Sequence, residues 1–156
     1  MRVLFKLISI TLMLFWAGTA AFAQQTHPLE GVWLTKDGES KVKIAACKDT
    51  LCNEIIWLKV PNDRYGKPLM DKLNKNPKLR SRPILGVPIL LNMKQVNKTM
   101  WKGRLYKPRH GKSYPGHVRV LDENKLEVKG CHETLPICKT QYWKRVISAA
   151  GDQASQ

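Results

Sequence analysis

The cysteines of this chain come as two local couples, Cys47/Cys52 and Cys131/Cys138, and His132 directly follows Cys131. In a chain that opens with an export signal, an even count reads as disulfides, for which three connectivities exist. Each couple sits where one alternating apolar run ends and the next begins, so pairing within each couple across a hairpin turn is the simplest arrangement. Loops this short contribute about 2–2.5 kcal/mol each in the chain-entropy picture. A metal site through His132 is the rival chemistry. The spacings match no zinc-ribbon pattern, and neither couple has the two-residue spacing of an oxidoreductase. No metal and no cofactor are expected.

Catalytic signals are sparse. His27, His110, His117 and His132 stand apart, none beside a Ser or Cys in a nucleophile motif. Gly-x-Ser-x-Gly, His-Glu-x-x-His and a phosphate-cradling Gly-rich loop are all missing. A hydrolase would have to assemble its triad from distant segments around the long loop described below, and an enzyme is not the expectation. What remains is binding chemistry. Arg80-x-Arg82 follows Asp71. Either Asp71 pairs with Arg80 or Arg82 and staples the loop, or the two arginines grip an anionic head group. Trp57, Trp101 and Tyr106 are candidate wall residues of a ligand cavity, with core packing as the ordinary alternative for each ring. Arg80 and Arg82 would then sit at its mouth.

The elements that must hold these residues read as strand after strand. Val42 and Ile44 alternate with Lys41 and Lys43 along Ser40–Cys47, the period of a strand with one buried face. Asn53–Val60 is a mostly apolar run around Trp57, suited to burial on much of both faces. Ile84–Lys94 is apolar too, with Gly86 and Pro88 implying a bulge or edge near its start. Thr99–Lys107, Ser113–Leu121, Leu126 with Val128, and Cys138–Ile147 complete the set. With the first strand these make eight. Tight turns between strands with one apolar face each predict an all-β, eight-stranded antiparallel up-and-down barrel, whose closure hides the sheet edges. A two-sheet sandwich is the competing architecture. The segment 61–83 breaks the rhythm as one long loop between strands 3 and 4. In it Met70–Asn74 reads as a helical turn ended by Asn76-Pro77.

The first strand carries Gly31 and Trp33 and closes on Asp37-Gly38, a pair that tolerates the positive φ angles of a tight turn. Trp33 reads as a plug at the barrel floor, with Gly31 leaving room for a crossing chain. Trp143-Lys144-Arg145 near the far end would cover it, the Arg145 guanidinium stacking on the Trp33 ring.

Residues 1–23 have Arg2 and Lys6, an apolar run from Leu7 to Trp16, and a closing Ala21-Phe22-Ala23, the three-part layout of a cleaved signal peptide. A membrane anchor is the alternative, but the run is short for a span. Cleavage after Ala23 leaves 133 of the 156 residues, enough for one barrel domain over 24–147, and the small polar stretch 148–156 reads as a disordered tail. Losing Arg2 and Lys6 takes the formal net charge from +15 to +13. A periplasmic or secreted protein of a Gram-negative bacterium is expected, with no nucleic-acid partner, since the basic residues are spread along the chain and no binding motif appears. Two functions follow. The first is binding of a small, partly apolar molecule with an anionic end. The alternative is a basic surface-interaction module for an anionic envelope glycolipid or a partner protein.

Several of these stretches carry a resemblance. Gly31-Val32-Trp33, Cys52-x-x-Ile55-Ile56-Trp57-Leu58 and Gly66-Lys67-Pro68-Leu69-x-Asp71 resemble a bacterial family of small exported proteins catalogued as domain of unknown function 2147. Asn76-Pro77-x-Leu79-Arg80-Ser81-Arg82-Pro83-x-Leu85-Gly86 and Trp143-x-Arg145 fit the same family. The resemblance implies a lipocalin-like barrel, and the Gly-x-Trp start with a closing arginine is also similar to the lipocalin signature. The Thr-Asp-Tyr motif of typical lipocalins is missing.

Overall fold

The computed structural model describes residues 27–47 and 50–147. The expected signal peptide, 1–23, and the expected tail, 148–156, fall outside the described residues. Eight strands follow in chain order: β1 (Gly31–Leu34), β2 (Ser40–Cys47), β3 (Thr50–Leu58), β4 (Leu90–Asn97), β5 (Met100–Lys107), β6 (Lys112–Asp122), β7 (Lys125–Cys131) and β8 (Cys138–Arg145). They form one antiparallel sheet in the order β3-β2-β1-β8-β7-β6-β5-β4. Every neighbour pair but β1–β8 is a hairpin, and β1–β8 joins the two ends of the chain through Trp33 opposite Arg145. This is the up-and-down meander that short turns between alternating strands favour.

The barrel is nearly closed, and its seam lies between β3 and β4, where no strand ladder runs. Instead, the Asn53 side chain substitutes for ladder bonds. Its Oδ1 accepts from the backbone N–H of Ile89 (2.9 Å) and Leu90 (2.8 Å), and its Nδ2 donates to the Leu90 carbonyl (2.7 Å). The Ile55 N–H donates to the Val87 carbonyl and the Gly86 N–H to the Ile55 carbonyl, at 3.1 and 2.8 Å. One side chain and two backbone bonds thus satisfy edges that would otherwise remain open.

Alternation places the core. Trp33, Val42, Ile44, Ile55, Leu90, Met93, Trp101, Val118, Leu126, Val128 and Trp143 are all buried. They meet as cross-strand pairs, Trp33 with Val42, Trp101 with Val118 and Leu126 with Trp143.

Three expectations are corrected. The fourth strand begins at Leu90, not Ile84, because Pro88 has no N–H for a ladder and the preceding residues cross the seam. The run around Trp57 is not buried on both faces. Ile56 and Trp57 are exposed between buried Ile55 and Leu58, because β3 carries an extra residue opposite the Lys41/Val42 step. Such a bulge re-aims the side chains beyond it. In the loop, residues 71–74 form a single tight turn closed by the Asn74 N–H on the Asp71 carbonyl at 3.0 Å. Asn76-Pro77 opens a short 3-10 turn, Pro77–Leu79, rather than ending a helix; the Asn76 side chain accepts from the Lys78 N–H there.

Candidate functional site

The two ends of the barrel differ. At one end Trp33 is fully buried, its Nε1 donating to the Leu29 carbonyl at 2.8 Å. The Arg145 guanidinium lies 4.2 Å from the Trp33 ring centroid. It donates from Nη1 to the Glu30 carbonyl (2.6 Å), from Nη2 to Pro28 (3.3 Å) and from Nε to Glu123 (2.5 Å). Gly31 is required beneath it, since a β-carbon there would stand 2.3 Å from Arg145 Nη1. This end is a closed floor, and Trp101, with His27 tilted against it at 5.1 Å, packs into the same core.

The opposite end is open. A cavity of about 490 Å3 reaches inward from the β1–β2, β5–β6 and β7–β8 connections. Its wall is apolar: Ile55, Ile89, Leu105, Tyr114, Val128 and Trp143. Its rim carries Lys36, Lys107, Arg109 and Lys139 with His110 and His132, against the carboxylates of Asp37 and Glu39. His132 Nδ1 accepts from the Leu135 N–H at 3.3 Å, which leaves the neutral ring's proton on Nε2. The rim is shaped by turn chemistry. Asp37 and Gly38 both have positive φ, 66° and 64°, in the β1–β2 turn. Disulfide Cys131–Cys138 pins the β7–β8 loop, and Cys47–Cys52 pins the β2–β3 connection at the floor end. Among the described residues no cysteine is free.

The long β3–β4 connection, residues 59–89, straps the open end. Its anchor is Asp71, fully buried although charged. Tyr106 Oη donates to Asp71 Oδ1 at 2.5 Å, and Asn74 Nδ2 to Oδ2 at 2.7 Å. Arg82 donates to the same Oδ2 from Nε (3.0 Å) and Nη2 (2.9 Å). Arg80 takes no part in that pair and donates from Nε to the Asn74 carbonyl at 2.8 Å. The strap rests on the β5–β6 turn at Gly111, where a β-carbon would fall 1.7 Å from the Leu73 carbonyl oxygen.

Burial of the Tyr106 phenol, reinforced by its bond to Asp71 and by that carboxylate's charge, pushes its pKa up from 10.0 to about 12. The folded pKa lies above the unfolded one. This contribution to stability is therefore complete below pH 10 and is lost as pH rises from 10 through about 12. In a tyrosinate absorbance titration, Tyr106 is expected to ionise last of the four tyrosines. Tyr106→Phe should delete that last step and flatten the alkaline loss of stability. Loss of an earlier step instead would show that the phenol is not held by Asp71.

The residues put forward as ligand contacts therefore scatter. Tyr106 borders the cavity while its hydroxyl is committed to Asp71. Arg82 is bound in the strap anchor and Arg80 is exposed upon it. Trp57 lies on the outer wall with Lys41 Nζ 5.3 Å from its ring centroid. Trp101 is core at the floor, and Trp143 both packs in the core and lines the cavity. Sequence reasoning missed the cationic rim. The one available signal was that Lys36, Lys107, Arg109, His110, His132 and Lys139 flank turns that an up-and-down meander brings to the same end.

A closed-floored, open-mouthed, eight-stranded cup with an apolar interior defines a lipocalin-like barrel, a class built around small-molecule binding. The chain belongs to the bacterial family DUF2147, described as an uncharacterized protein conserved in bacteria, whose model matches residues 31–145. Its structure is similar to that of protein HP1028 from Helicobacter pylori, described as belonging to the lipocalin family. The two share 29% identity at a TM-score of 0.62, over 76% of this chain and 83% of that one. Among curated proteins none matches this sequence.

Proposed function

We propose that the barrel is an exported binding protein for a small, partly apolar molecule with an anionic end, working in the periplasm or outside the cell. The observation that carries this is the pairing of an apolar cavity of about 490 Å3 with a mouth bearing four lysine and arginine side chains against two carboxylates. The volume lies in the range of small-ligand sites. An alkyl or ring body replaces water against Leu105, Val128 and Trp143, and the charged end stays at the rim beside Lys107, Arg109 and Lys139. Two disulfides fit a compartment outside the reducing cytosol.

Parinaric acid, a fluorescent fatty acid, is a direct probe. Saturable one-to-one binding is expected, with energy transfer from Trp143 and a modest weakening from low to high salt, since the apolar body carries most of the affinity and only the head group meets exposed charge. Its methyl ester should bind at least about tenfold more weakly, since a hydrogen bond to a charged group contributes about 1.5–3 kcal/mol. Gly130→Phe should weaken probe binding by more than about tenfold. Gly130 lines the cavity, and a β-carbon there meets only the Leu105 and Tyr114 side chains, at 3.1 Å and beyond. A folded protein that takes up neither acid nor ester, or a Gly130→Phe variant that binds both as before, would remove the cavity from the account.

A further inference from the structure

The strap carries a surface that the cavity does not use. Between residues 72 and 82 stand Lys72, Lys75, Lys78, Arg80 and Arg82 with no carboxylate among them. The nearest acid, Asp71, is buried and taken up by Arg82, Asn74 and Tyr106. In their midst Leu73 is 62% exposed. Its backbone is seated on Gly111, so the position is fixed by a close approach rather than by burial of the side chain. On the neighbouring β7–β8 loop Leu135 and Ile137 are 51% and 58% exposed. That loop borders the same mouth, and its Glu133, held by Arg104, also feels the charge of Lys75. None of these three apolar side chains contributes to the core cluster.

We propose that the strap and the β7–β8 loop dock the open end of the barrel onto an anionic lipid bilayer. Lys72, Lys75 and Lys78 would meet the head groups, and Leu73, Leu135 and Ile137 would enter the interfacial layer. The charge complementarity selects the occupant. A lysine near an anionic bilayer surface contributes about 1 kcal/mol, or about fivefold in partitioning, and shallow apolar anchors add to it. An acidic protein would satisfy the lysines but gives no reason for three separate apolar side chains around a mouth. Docked this way, the cavity faces the bilayer, and an amphiphile passes between the two without crossing water. The docking surface itself stands apart from the cavity reading.

The test is flotation of the mature chain with vesicles of phosphatidylglycerol and phosphatidylethanolamine, against pure phosphatidylcholine vesicles. Wild type is expected to float with the anionic vesicles and to remain largely behind with the neutral ones. Lys72→Gln/Lys75→Gln/Lys78→Gln should lower partitioning on the order of a hundredfold. Leu73→Ser/Leu135→Ser/Ile137→Ser should lower it at least about tenfold with an unchanged melting temperature, since these side chains are exposed. The control, Lys43→Gln/Lys94→Gln/Lys102→Gln, removes the same charge from exposed positions on the barrel wall and should matter far less. A wall variant as damaging as the strap variant would reduce the effect to diffuse positive charge and overturn the proposal. So would an apolar variant that floats like wild type, or a wild type that binds neither vesicle. Parinaric acid titrated without vesicles should be bound equally by the two lysine variants, whose side chains do not line the cavity, which separates failure of docking from failure of the cavity.

Discussion

Asp71→Ala lowers the stability of the barrel by about 3–5 kcal/mol, the range for removing one partner of a buried charge network. The fully buried carboxylate accepts from three side chains, Tyr106, Asn74 and Arg82. Its deletion leaves the Asn74 amide, which is 7% exposed, with only the Tyr106 hydroxyl to donate to (2.9 Å), and leaves the Arg82 guanidinium to find water from a half-buried position. Arg82→Ala costs less, because Asp71 keeps its bonds to Tyr106 and Asn74 and Arg82 is already 30% exposed. Tyr106→Phe costs less again, about 1–3 kcal/mol for a single unsatisfied partner. Chemical denaturation of the three variants checks this order. Hydrogen exchange should accelerate first in residues 61–83, since the strap is tied to the barrel through this group. A loss below about 1 kcal/mol in Asp71→Ala would mean that the strap is held by its backbone contacts alone.

Trp33→Ala has a comparable effect through a different term. The ring is fully buried at the floor, and replacing a core Trp by Ala costs about 3–5 kcal/mol. Arg145→Ala removes the cation above that ring together with donors to Glu30, Pro28 and Glu123. Those three carbonyls belong to the entering chain and the β6–β7 turn, so Arg145 ties both chain ends to the base. A double-mutant cycle should return a coupling of about 0.5–2 kcal/mol between Trp33 and Arg145, the range of a partly desolvated cation–π pair. Gly31→Ala should destabilise as well: it forces the Arg145 guanidinium aside at a position whose φ of 132° disfavours any side chain. Additive effects for Trp33 and Arg145 would place the stability of the floor in the hydrogen bonds rather than in the stack.

The strap shows where reading a chain without its fold stops. Asp71, Arg80 and Arg82 stood out by type and spacing, yet both arginines were equally able to reach the carboxylate. The choice fell to Arg82 because its backbone carbonyl accepts from the Asp71 N–H at 3.0 Å, laying the two residues side by side. Arg80, at the end of the 3-10 turn, is turned toward Asn74 instead. Tyr106 entered the reading as a cavity wall, and its hydroxyl bond to Asp71 links positions 35 residues apart. Trp57 was displaced by one inserted residue in β3, which no local pattern announces.

By itself the sequence determined the number of strands, most of their inner faces and their up-and-down order, because a two-residue period and short turns leave the backbone few other ways to satisfy its hydrogen bonds. The tertiary structure alone decided which end is floor and which is mouth. Trp33 and Trp101 fill one end of the lumen, whereas Leu105, Val128 and Trp143 border open space at the other. Inner-facing residues of both kinds alternate alike along their strands, and whether space remains between them depends on how eight tilted strands converge across the barrel. That is a distance between side chains far apart in the chain, set only when the sheet closes.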